Sequence, residues 1–111
     1  MNQIKFSENW NNKLNNNIFT TIRGWNKDKE DYYKKLVGSE FEIVLNGKVQ
    51  EDFKKVRLID SEIIEFSKIS RHTLMLDTGQ SDFAEIFNIF NNFGMKSIFD
   101  KMIILTFRRE K

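Results

Sequence analysis

A chain of 111 residues with eleven Phe and a 40% hydrophobic share has enough material for one packed core and is too apolar for a disordered segment. With no cysteine and one histidine, it excludes disulfides, thiolate metal centres, a cysteine nucleophile and multi-histidine sites, so no metal or other cofactor is expected. Eighteen Lys and Arg against sixteen Asp and Glu give a formal +2, which permits a nucleic-acid partner through a local basic face without requiring one.

The opening Met1-Asn2-Gln3-Ile4-Lys5 starts no long apolar run, and no stretch approaches the ~20 apolar residues that span a bilayer. A cytoplasmic protein without membrane association is therefore expected. Nothing rich in Pro, Gly or Ser interrupts the pattern, which predicts a single domain over residues 1–111. The asparagine-rich stretch from Asn9 to Asn17 carries Trp10 and Leu14 at i, i+4, and predicts a short helix with one buried edge, capped by Ser7.

Ile18 to Arg23 is rich in β-branched residues and predicts a strand ended by Gly24. Asn26 to Asp31 reads as a loop into a short helix around Tyr32, Tyr33 and Leu36, closed by Gly38. Phe41 to Leu45 alternates as a half-buried strand, and Asn46-Gly47 is the strongest hairpin signal in the chain. Val49 to Phe66 supplies its partner, long enough for two strands around a bend near Asp60-Ser61. Between Ser67 and Leu76 a short helix or turn is expected.

Phe83, Ile86, Phe87, Phe90 and Phe93 repeat at three and four residues behind Ser81-Asp82, which predicts an amphipathic helix whose aromatic stripe is core. The continuous apolar run from Met102 to Phe107 predicts an interior strand covered on both faces. This order of elements suits an α+β domain around a curled sheet, mixed or antiparallel.

Four local patterns together resemble the ASCH family of the PUA-like superfamily, and more narrowly its small bacterial branch of N4-acetylcytidine amidohydrolases. They are Ile4-Lys5-Phe6 followed by the segment with Trp10 and Leu14; Thr20-Thr21-Ile22-Arg23; Gly38-Ser39-Glu40-Phe41-Glu42-Ile43; and Asp77-Thr78-Gly79 with the Phe83 to Phe93 helix and the closing strand Ile103 to Arg108. The resemblance implies a β-barrel of about five to six strands with two to three flanking helices, and a cleft between them for RNA or a modified nucleoside. In the amidohydrolases a lysine, a threonine nucleophile and an acidic residue act together. The threonine falls on Thr21 and the acidic residue near Asp77. The lysine position is Ile18, which leaves Lys13, Lys27 and Lys29 as alternatives for reaching the same space.

Thr20 and Thr21 point to opposite faces of their strand, so only one can line a cleft; otherwise both are ordinary strand formers. Arg23 shares the face of Thr21, where a guanidinium clasps a phosphate or carboxylate, or else pairs with Asp77 or a nearby Glu. Trp25, beside Lys27 and Lys29, fits a stacked base with lysines on the phosphates, or burial against the Tyr32-Tyr33 helix. Asp77 is equally a turn former, and His72 a surface or capping residue.

Isoleucine neither transfers protons nor carries charge, so the sequence favours a non-catalytic module that binds RNA or a nucleoside through Thr20, Arg23, Trp25, Lys27 and Lys29, and little hydrolysis of N4-acetylcytidine. The alternatives are an amidohydrolase or ribonuclease working through Thr21 and Asp77, and an interaction domain with a vestigial cleft.

Overall fold

The structure, a computed structural model, describes residues 2–50 and 55–110. Strands β1 (Asn2–Phe6) and β2 (Ile18–Gly24) flank a 3₁₀ segment, Trp10–Asn15; α1 (Lys27–Leu36), β3 (Glu40–Leu45), β4 (Lys48–Val49) and β5 (Lys55–Glu65) follow. A 3₁₀ turn at Phe66–Lys68, then α2 (Arg71–Thr78), α3 (Phe83–Asn92) and β6 (Lys101–Arg109) complete the order. The fold is α+β, with six strands in one mixed sheet of order β1-β3-β5-β6-β2 and β4 attached to β3. β1 runs parallel to β3, and the other pairings are antiparallel.

The chain's local chemistry accounts for most of these elements. Asn46 and Gly47 both take positive φ, 51° and 81°, as a two-residue hairpin turn of the primed type requires, and they join β3 to β4. Phe53, expected in the next strand, lies outside the described residues. The bend expected near Asp60-Ser61 is a bulge between Leu58 and Asp60 in an otherwise continuous β5. The expected loop before α1 is that helix's first turn, because the Asn26 side chain accepts from the Lys29 N–H at 2.8 Å and caps it.

The interior strand β6 explains its own unbroken apolar run. Ile103, Leu105 and Phe107 face one core with Phe41, Val56 and Leu58, while Met102 and Ile104 face a second with Phe66, Leu74 and Phe90. The aromatic stripe of α3 is core only in part. Ile86 and Phe90 are buried, but Phe83 is 40% exposed and Phe93, beyond the last helical residue, is 64% exposed. A ten-residue helix has room for one buried face at i, i+4, and the ends of the stripe run past it.

β1 and β2 are the two edges of the sheet, so the barrel expected from the resemblance is not closed by strand pairing. Side chains span the seam instead. Arg23 Nη2 donates to the Lys5 carbonyl at 2.7 Å, its guanidinium lies 4.9 Å over the Phe6 ring, and Phe6 meets Phe19 edge-on at 6.2 Å. Among the described residues, no helix is long and apolar enough to cross a membrane.

Candidate functional site at the open seam

A cavity of about 220 Å³ lies where the sheet fails to close, and Lys13, Thr21, Arg23 and Asp77 are among the polar residues that line it. Each arrives for a local reason. Along β2 the alternation puts Thr21 and Arg23 on one face, and Thr21 is 3% exposed. Arg23 Nε donates to Thr21 Oγ1 at 3.0 Å. Thr20, on the opposite face, does not line the cavity.

Lys13 comes from the asparagine-rich segment, which is not the regular helix its Trp10–Leu14 spacing predicts. Asn11 and Asn12 have φ of 55° and 53°, in the left-handed region that asparagine tolerates better than most residues. Asn9 holds the resulting kink, accepting from the Leu14 N–H at 3.0 Å and donating to Asn15 Oδ1 at 2.7 Å. Ser7 is not the cap; Asn9 occupies that position. The kink turns both Lys13 and Leu14 inward, and Lys13 is 4% exposed.

Asp77 sits in the last turn of α2, a helix that Ser70 caps by accepting from the Thr73 N–H at 3.1 Å. The helix runs past the expected limit at Leu76, so Asp77 is a buried helical residue rather than a turn former. Its carboxylate takes Lys13 Nζ at 2.7 Å. One carboxylate thus ties the asparagine turn to α2.

Burial sets the electrostatics. It pulls the Lys13 amine below its ordinary range against the attraction of Asp77, with Arg23 adding to the fall. It pushes the Asp77 carboxyl up, against Lys13 and Arg23. It also lowers the Arg23 guanidinium, which Tyr33 and Asp77 partly offset. Burial thus works against the charged form of both members of the pair, and each charge is held by the other.

Other sequence-predicted residues lie elsewhere. Trp25 is partly buried against the core; its indole N–H donates to Glu30 Oε1 at 2.7 Å, and Lys101 Nζ lies 4.8 Å over its ring. Lys27 pairs with Glu30 and Asp31 on α1, while Lys29 reaches the cavity lining. Ile18 is 56% exposed at the start of β2, and His72 is exposed on α2. Trp10 and Phe93 line the cavity though neither was singled out for a site from sequence, because spacing assigned both to core. Among the described residues, no cluster of three or more His, Cys, Asp or Glu offers a metal site. Comparison with protein-family models, curated proteins and solved structures gives no match.

Proposed function

We propose that the cavity holds a nucleoside with an acylated base nitrogen, and that Thr21, Lys13 and Asp77 hydrolyse that amide. This is the activity of the ASCH-family amidohydrolases that the chain resembles, and the cavity that would carry it lies at the open β1–β2 seam of the sheet. The supporting observation is the 2.7 Å Lys13–Asp77 pair beside Thr21 in one cavity. The sequence favoured binding alone because Ile18 stands at the lysine position, and Lys13 removes that objection by bringing an amine from the preceding turn.

Thr21 Oγ attacks the acyl carbonyl carbon while its proton passes to the Lys13–Asp77 pair. Arg23, donating to Oγ1, stabilises negative charge on that oxygen in the approach to the transition state. The C–N bond then breaks, the base nitrogen takes the proton, and the acyl group rests on Thr21 as an ester. Water, deprotonated by the same pair, releases the carboxylic acid and restores the hydroxyl. The cavity lies below the ~300 to 1,000 Å³ typical of drug-sized ligand pockets, which favours a single nucleoside over a polynucleotide tract.

Chromatographic measurement of cytidine released from N4-acetylcytidine tests the proposal. The wild type should release cytidine, and Thr21→Val, which keeps the branched shape without the hydroxyl, should lose ~10² to 10⁴ of the rate. Absence of release by the folded wild type would overturn the hydrolase reading.

A further inference from the structure

The positive charge around the cavity exceeds what the hydrolysis requires. Lys5, Lys13, Arg23 and Lys29 line it against one carboxylate, Asp77. Lys13 occupies that carboxylate, and among the described residues Lys5, Arg23 and Lys29 form no ion pair. Arg23 is the telling member. It is half-buried, fixed through Nε to Thr21 and through Nη2 to the Lys5 carbonyl, and its Nη1 has no hydrogen bond among the described residues. Asp77 offsets only part of the cost of burying the guanidinium, and Nη1 keeps an N–H that an anion at the mouth can take.

Lys5 and Lys29 are exposed, so they mark the mouth, whereas Thr21 and Asp77 are buried and mark the floor. Trp10 and the exposed Phe93 ring also line the cavity, adding flat apolar surface of the kind on which bases stack. A ligand matching this gradient is planar and apolar at one end and anionic at the other. We infer that the cavity takes a nucleoside monophosphate, with the base toward Thr21 and the phosphate at the mouth on Lys5, Lys29 and Arg23 Nη1. This rests on the reading of the cavity as a nucleoside site and narrows its substrate class from nucleoside to nucleotide. Lysines and arginine bind a phosphate through charge-assisted hydrogen bonds, which are about twice as strong as neutral ones.

Calorimetric titration of the folded protein at low ionic strength, with cytidine, inorganic phosphate, cytidine 5′-monophosphate and a short single-stranded oligocytidylate, tests the inference. The monophosphate should bind about tenfold or more tighter than either cytidine or inorganic phosphate. That preference should vanish in Lys5→Gln/Lys29→Gln, a change at two exposed side chains that leaves the core untouched. Equal affinity for cytidine and its monophosphate overturns the phosphate site and leaves the hydrolase reading standing. A phosphate preference without turnover of acetylated cytidine overturns the hydrolase and leaves the phosphate site standing. An oligocytidylate that binds more tightly than the monophosphate overturns the mononucleotide assignment in favour of RNA, and binding of none of the four overturns the phosphate site, leaving the hydrolase reading to the assay of cytidine release.

Discussion

Asn11 and Gly79 are packed so closely that a Cβ on the glycine would lie 3.2 Å from the Asn11 Cβ. Asn11 also donates from Nδ2 to the Leu76 carbonyl at 3.1 Å, so the left-handed turn is pressed onto the C-terminal end of α2. Lys13 is two residues along that turn and Asp77 two residues before the glycine. The contact therefore sets the separation at which the buried ion pair forms.

Gly79→Ala should destabilise the protein more than Gly47→Ala. Both glycines have positive φ, 76° and 81°, so each substitution carries a similar backbone cost of about 1–2 kcal/mol. Only Gly79 has a neighbour to strike; nothing lies within 4 Å of a Cβ on Gly47. Urea midpoints of the two variants give the comparison, and equal losses would mean that the asparagine turn yields without resistance.

Replacing one member of the Lys13–Asp77 pair should cost about 3–5 kcal/mol, because the survivor is a buried charge without a counter-charge. Lys13→Met with Asp77→Leu removes both charges and should restore most of the loss, since buried pairs exchanged for apolar residues of similar size are often neutral or stabilising. A double-mutant cycle by chemical denaturation checks this. Single losses below 1 kcal/mol would show that water reaches the pair.

The sheet was legible because its signals are local: the alternation of Phe41 to Leu45, the Asn46-Gly47 turn and the unbroken apolar run of β6 each state their environment within a few residues. Thr21, Arg23 and Asp77 were also legible as candidates. The position of Lys13 was not, because it depends on two left-handed asparagines and on a glycine 66 or more residues away, and a composition rich in Asn does not say which of its members will take positive φ. The surroundings of Trp25 were hidden for a related reason. Its cationic neighbours in sequence are Lys27 and Lys29, but in space Lys101 covers its ring, and Glu30, one turn into α1, takes its N–H.

Trp25→Ala should accordingly lower stability by about 3 kcal/mol, as removal of a partly buried indole does, and leave nucleoside binding nearly unchanged. Trp10→Ala should do the reverse at the site, weakening nucleoside binding by about 1–3 kcal/mol for a lost stacking surface. Thermal melts and calorimetry on the two variants separate the roles; loss of binding in Trp25→Ala without loss of stability would return Trp25 to the ligand.

Stability should depend on pH at both ends through the buried pair. The folded Lys13 amine titrates below its ordinary 10.5, so just under that pH the unfolded chain holds more protons and stability rises with pH. The folded Asp77 carboxyl titrates above its ordinary 3.8, so just over that pH the native chain holds more protons and stability falls as pH rises. The difference in unfolding free energy between wild type and Lys13→Met/Asp77→Leu, followed across both windows, should show these two opposite slopes. A flat difference would place both groups in solvent.

Ile18→Lys should not raise cytidine release from N4-acetylcytidine, and it should not rescue Lys13→Met. Residues 18 and 21 are three apart in β2, and an odd separation along a strand directs side chains to opposite faces. Ile18 is moreover exposed at the strand's first position, paired across the ladder with Arg108, a cation that would repel an added lysine. An amine there meets solvent on the face away from Thr21. Lys13, in contrast, is buried in the cavity with Asp77 at 2.7 Å, and Lys13→Met should lose ~10² to 10⁴ of the rate as a missing proton-transfer group does. Because Lys13→Met also strands Asp77, its rate is read beside Lys13→Met/Asp77→Leu, which keeps the fold without the charges. Turnover in that folded double variant equal to wild type would remove the pair from the chemistry, and recovery of rate in Ile18→Lys/Lys13→Met would place the working lysine at position 18 after all.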